Sequence, residues 1–193
     1  HSFPTRRSSD LVVPRAHIDH ITRLVNELLN FLVEDNQGKE LFALYLNTAA
    51  KLYRIGATIE YYNFAQHTFY LIIHSHLNGL THKEILLVAA IASFRSKSKA
   101  KAELKHYTQL ITSYELEIVY RLGSLLQLAV ALDRSETQSI KQLQLNKSDG
   151  QLLITVTDAH TDLELEVHKV EELANDFKKQ WGLKPVLQLQ LAK

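Results

Sequence analysis

The stretch Leu80-Thr81-His82-Lys83-Glu84-Ile85-Leu86-Leu87-Val88-Ala89-Ala90-Ile91 decides the fold class. Thr81 followed three residues later by Glu84 is a capping box: hydroxyl and carboxylate each satisfy a backbone N–H that the first helical turn leaves unpaired. From Ile85 to Ile91 no polar residue interrupts the apolar run. At 3.6 residues per turn, such a run presents apolar side chains all round, and that helix is stable only when other helices surround it. The spacing predicts a helical bundle with this segment at its centre.

Upstream, Ile18, Ile21, Leu24, Val25, Leu28, Leu29 and Leu32 make one helical face between Ala16 and about Val33, and Asp35-Asn36-Gln37-Gly38 stops it. A second helix is expected from Lys39 to Ile55, ended by Gly56, and a third from Phe64 to Leu77, closed by Asn78-Gly79. Downstream, Arg95 to Lys101 reads as a basic linker, Ala102 to Ile111 as a short helix and Tyr114 to about Leu132 as a buried one. After Asp133 the period falls to two. Two strands are expected, through Ile140, Leu143 and Leu145 and through Leu152, Ile154 and Val156, with their turn at Asp149-Gly150. Leu163, Leu165 and Val167 alternate with Glu164 and Glu166 as a third strand, Val170 to Trp181 is a helix, and Val186 to Leu191 a last strand. The expected class is mainly α: a helical bundle over 12–135 followed by a small α+β subdomain over 136–193 in the order β-β-β-α-β.

Composition narrows the function classes. With 46% hydrophobic and 22% charged residues the chain has the make-up of a folded protein. The absence of Cys excludes disulfides, thiolate metal sites and a cysteine nucleophile, and it suits a reducing compartment such as the cytoplasm. A net charge of +1 gives no global case for nucleic acid, and no apolar run is long enough to span a bilayer. The absence of Met, together with a start (1–11) that reads like a translated sequencing adapter, leads to the expectation of an artefactual tail on a fragment.

Four segments carry a resemblance: Ala49-Ala50-Lys51-Leu52-Tyr53-Arg54-Ile55-Gly56, Gln66-His67-Thr68-Phe69-Tyr70-Leu71-Ile72, Asn78-Gly79-Leu80-Thr81-His82-Lys83-Glu84 and Leu128-Ala129-Val130-Ala131-Leu132-Asp133-Arg134-Ser135. In order and spacing they resemble the C-terminal half of the exopolyphosphatase and guanosine pentaphosphate phosphatase (Ppx/GppA) family. The resemblance implies an HD-like helical bundle, homodimerisation, and help in forming a channel for polyphosphate. It also implies that hydrolysis of terminal phosphate belongs to missing N-terminal actin-like domains, with Mg²⁺ as the parent's cofactor and none in this fragment. No membrane or nucleic-acid partner is expected.

HD phosphohydrolases hold divalent metals with a His, a His-Asp dipeptide and a later Asp. Carried over by position, His20 matches the first His, Tyr53-Arg54 stand at the dipeptide and Val130 at the later Asp. A neutral phenol and a cationic guanidinium cannot replace an imidazole and a carboxylate, so no metal and no catalytic residue is expected. The alternatives are an independent HD-type metal-dependent phosphohydrolase and a non-catalytic interaction module.

Arg54 and the stretch Arg95, Lys97, Lys99, Lys101 and Lys105 are the candidate phosphate-polymer ligands. A row of cations binds a dense linear anion through charge and counterion release. The bland alternative for the stretch is a solvated loop. His67, His74 and His76, and the pair His17 and His20, are read as structural or helix-surface residues. No glycine-rich phosphate loop or nucleophile elbow occurs.

Overall fold

The structure is a computed structural model that describes residues 14–34, 36–156 and 163–189. The adapter-like segment 1–11 lies outside the described residues. Seven α-helices and three strands follow in the order α1 (Arg15–Leu32), α2 (Asn36–Leu52), α3 (Phe64–Ile73), α4 (His82–Ala92), α5 (Lys97–Glu103), α6 (Ser113–Leu132), β1 (Gln144–Ser148), β2 (Gln151–Val156), α7 (Glu164–Trp181) and β3 (Lys184–Leu189), counted among the described residues.

The expected capping box is present: Thr81 Oγ1 accepts from Glu84 N, and Thr81 N donates to Glu84 Oε2 at 2.7 Å. Thr112 and Glu115 repeat the device at the start of α6. Every residue of α4 from Ile85 to Ala92 is buried, as is most of α6, and α1, α2 and α3 pack around them. Burying each large aliphatic side chain there contributes roughly 1.5 to 3 kcal/mol, so the bundle is held chiefly by α4 and α6.

Beyond the bundle, β1 pairs antiparallel with β2 through a turn at Asp149 (φ 49°) and Gly150 (φ 73°), and β2 pairs parallel with β3. Between β2 and β3, α7 turns Val170, Ala174 and Phe177 inward, where Leu152, Ile154 and Val156 of β2 are also buried. Helix α7 also packs on α6, and Trp181 Nε1 donates to Arg121 O at 3.1 Å.

The mainly α class with a small α+β part holds. Within it the order is β-β-α-β, because Leu163–Val167, expected as a third strand, enters the first turn of α7. Glu166 occupies an inward helical position at 1% exposure, where its Oε1 accepts from Ser135 N at 2.8 Å. A carboxylate on the buried face masked the helical period. Boundaries also move. Helix α2 begins at Asn36, within the expected stop, and α3 ends at Ile73, before Asn78-Gly79. The expected linker, Arg95 to Lys101, is helical from Lys97, with Ser96 Oγ accepting from Lys99 N, while the expected helix Ala102 to Ile111 is divided between the end of α5 and a 3-10 turn at Leu104–Tyr107. Ile140 and Leu143 precede β1.

Candidate functional site

His17 shares the inward stripe of α1 with Ile21, Leu24 and Leu28, so its ring is carried into the bundle. Asp133 terminates α6. Although 116 residues apart, the two meet: His17 Nδ1 lies 2.7 Å from Asp133 Oδ2, and His17 Nε2 lies 2.5 Å from the Tyr53 hydroxyl. Burial would push the Asp133 carboxyl up, but hydrogen bonds from His17 and from the Gln138 backbone and side chain outweigh it and hold the group below the usual aspartate range. The ionised carboxylate therefore accepts from Nδ1–H, and in the neutral ring Nε2 accepts from the Tyr53 O–H. Burial pushes the Tyr53 phenol above its ordinary value, so it stays protonated as that donor.

The turn after α6 is braced from several sides. Gln138 N donates to Asp133 Oδ1 at 2.8 Å, Arg54 pairs with Glu136 at 2.5 Å, and Glu166 receives Ser135 N. Glu136 (φ 57°) and Gln138 (φ 52°) both sit in the left-handed region, a conformation that costs a non-glycine residue energy and is held here by those bonds. The hub thus ties α1, the end of α2, the end of α6 and the start of α7 together.

The Tyr53-Arg54 turn has its own support. Gly56 N donates to Thr68 Oγ1 at 3.0 Å, and that hydroxyl donates to Tyr53 O at 3.1 Å. A Cβ at Gly56 would stand 2.1 Å from Phe64 O and 2.4 Å from Thr68 N, both backbone atoms. Gly56→Ala is therefore expected to lower stability by about 3 kcal/mol, the upper part of the overpacking range, read as a drop in the urea midpoint at unchanged slope.

The hub lies one helical turn from two of the positions expected for an HD-type site. His17, not His20, faces Tyr53, and Asp133, not Val130, faces His17. Contrary to the helix-surface expectation, His17 and His20 are both buried. His20 Nδ1 lies 3.3 Å from Arg23 Nη2, while its Nε2 is buried without a partner among the described residues. The hub does not fit a divalent metal: the Tyr53 phenol stays protonated and the Arg54 guanidinium is cationic. Among the described residues no group of three or more His, Asp or Glu is arranged to hold one. The sequence signal for the hub was the placement of His17 on an apolar stripe, where a buried imidazole needs a partner.

The basic stretch is a different surface. Arg95, Lys97, Lys99, Lys101 and Lys105 are all exposed, whereas Arg54 is committed to Glu136 and stacks over Tyr61. Arg95 lies over the Phe64 ring at 4.8 Å, and Lys97 over Tyr120 at 4.7 Å, with Glu117 3.6 Å away. Lys101 and Lys105, one turn apart, rim a cleft floored by Leu104, Ile111 and Leu116, and neither has an ion-pair partner among the described residues. Glu103, which feels the charges of Lys99 and Arg95, has its carboxyl pushed up by burial and accepts from Ser93 Oγ at 3.2 Å. Elsewhere, His67 pairs with Glu60 and His74 Nδ1 bonds Tyr70 O, both at the surface. Among the described residues no helix is long and apolar enough to cross a membrane.

A family model described as Ppx/GppA phosphatase, domain III, matches residues 9–184. No curated protein matches the chain.

Proposed function

The chain belongs to the Ppx/GppA phosphatase family as its domain III, and we propose that it serves there as an accessory domain that binds the phosphate polymer and supports a homodimer. Catalysis in this reading belongs to actin-like domains of the same protein, with Mg²⁺ bound there and the whole acting in the cytoplasm. The HD-like bundle is a scaffold in which a hydrogen-bonded hub of His17, Tyr53 and Asp133 lies beside the positions expected for a metal.

The observation that carries the reading is the exposed stretch Arg95, Lys97, Lys99, Lys101 and Lys105, in which Lys97 alone has a carboxylate partner among the described residues. Cations left unpaired on one surface attract a linear polyanion and release its counterions. Arg54 contributes by positioning the turn after α6.

In a protein carrying both halves, replacing Arg95, Lys97, Lys99 and Lys101 by Ser is expected to depress activity on long polyphosphate relative to short. Turnover measured at both lengths checks this, and an unchanged ratio ends the reading.

A further inference from the structure

The cleft rimmed by Lys101 and Lys105 has an apolar floor that a phosphate polymer would not use. It encloses about 430 Å³ between α5, the 3-10 turn at Leu104–Tyr107 and the start of α6. Leu104 is buried at its floor, Ile111 and Leu116 are half-buried beside it, and the exposed Ala102 forms part of its wall. Ligand pockets for small molecules run from roughly 300 to 1,000 Å³, so the space is of that order. A stable protein partner would need about 800 Å² and 20 to 30 residues on each side. Eight residues line this cleft, which favours a small ligand.

The charge around it is one-sided. Among the described residues no carboxylate lines the cleft. The acids on the adjoining elements are engaged elsewhere: Glu103 with Ser93, Glu115 with Thr112 and Lys83, and Glu117 with Lys97. Lys101 and Lys105 thus stand four residues apart as like charges, a spacing that is unfavourable until an anion comes between them. An inorganic anion there would leave the apolar floor in water, and an uncharged apolar ligand would leave both ammonium groups unpaired. A ligand with an anionic head and an apolar tail satisfies both parts.

We propose that this cleft binds a single-chain anionic amphiphile of the fatty-acid class, its carboxylate between Lys101 and Lys105 and its alkyl chain over Leu104, Ile111 and Leu116. Polyphosphate needs the lysines but not the apolar floor, so a fatty acid can bind here whether or not the polymer does.

Calorimetry of the 193-residue chain with hexanoate, octanoate and decanoate, each kept below the concentration at which it forms micelles, tests this. Affinity is expected to rise about fourfold for each methylene that leaves water. Decanol, which lacks the charge, is expected to bind about tenfold more weakly than decanoate, since each exposed ion pair contributes up to about fivefold at low salt. Lys101→Gln combined with Lys105→Gln should remove that difference while decanol still binds, which shows that the cleft is intact. Ala102→Phe fills the cleft from an exposed position, keeps both lysines and should abolish the gain with chain length. Equal affinity for hexanoate and decanoate, or decanoate binding unchanged by Ala102→Phe, overturns the alkyl site. Decanol binding as tightly as decanoate overturns the pairing with the lysines. Neither result touches the polyphosphate reading, because Ala102→Phe is expected to leave polymer affinity and its salt slope as they are in the parent chain.

Discussion

Asp133→Ala is expected to cost on the order of 3 kcal/mol of folding stability, the upper part of the range for leaving a buried hydrogen-bonding group without its partner. Asp133 is 2% exposed and accepts from His17 Nδ1, from Gln138 N and, at 3.3 Å, from Gln138 Nε2. Its loss leaves the His17 Nδ1–H buried without an acceptor and releases the turn in which Glu136 and Gln138 hold left-handed angles. Because that turn also carries the Arg54–Glu136 and Ser135–Glu166 contacts, the damage extends to the junction of bundle and α+β unit. Asp133→Asn keeps an acceptor for Gln138 N and should cost less. Urea unfolding of both variants checks the order; an Asp133→Ala cost below about 1 kcal/mol would show that the hub does not brace the fold.

The second large effect is on pH dependence. Burial, opposed by Asp133 and reinforced by Arg23, Lys141 and His17, lowers His20 from 6.5 to about 4. The unfolded chain therefore takes up this proton before the folded one does, and stability falls as pH falls across that window. At 1.36 kcal/mol per pH unit the loss is on the order of 3 kcal/mol. Above 6.5 the contribution is fully present, and by about 4 it is gone. His20→Leu, which also removes the unpartnered Nε2, should flatten stability between those values. The smaller decline that remains is expected toward the acid end, where Glu84, Glu115 and Asp133, whose folded carboxyls lie below their ordinary values, lose their contributions. Thermal melts at half-unit pH steps check this, and an unchanged slope in His20→Leu would assign the effect elsewhere.

Local signals were legible in the sequence. The helix start at Thr81 hydrogen-bonds to a Glu three residues on, and the Asp149-Gly150 turn depends on two adjacent residues with positive φ. Burial of α4 follows from an apolar run that no single face accommodates. What escaped reading depends on distant partners. The inward position of Glu166 is explained only by Ser135, 31 residues earlier, and His17 becomes part of a site only once Asp133 and Tyr53 are brought to it. The basic stretch was visible as a run, but its short helix depends on the Ser96 cap.

The central claim is that this domain binds a phosphate chain and does no chemistry of its own. Titration of the purified chain with polyphosphate at rising salt tests it most directly, with released phosphate assayed in the same samples. The account predicts binding whose log–log salt slope is about −3.5 or steeper, as five or more cation contacts require, and no phosphate release. Absence of binding at low salt, or phosphate release by the chain alone, would contradict it.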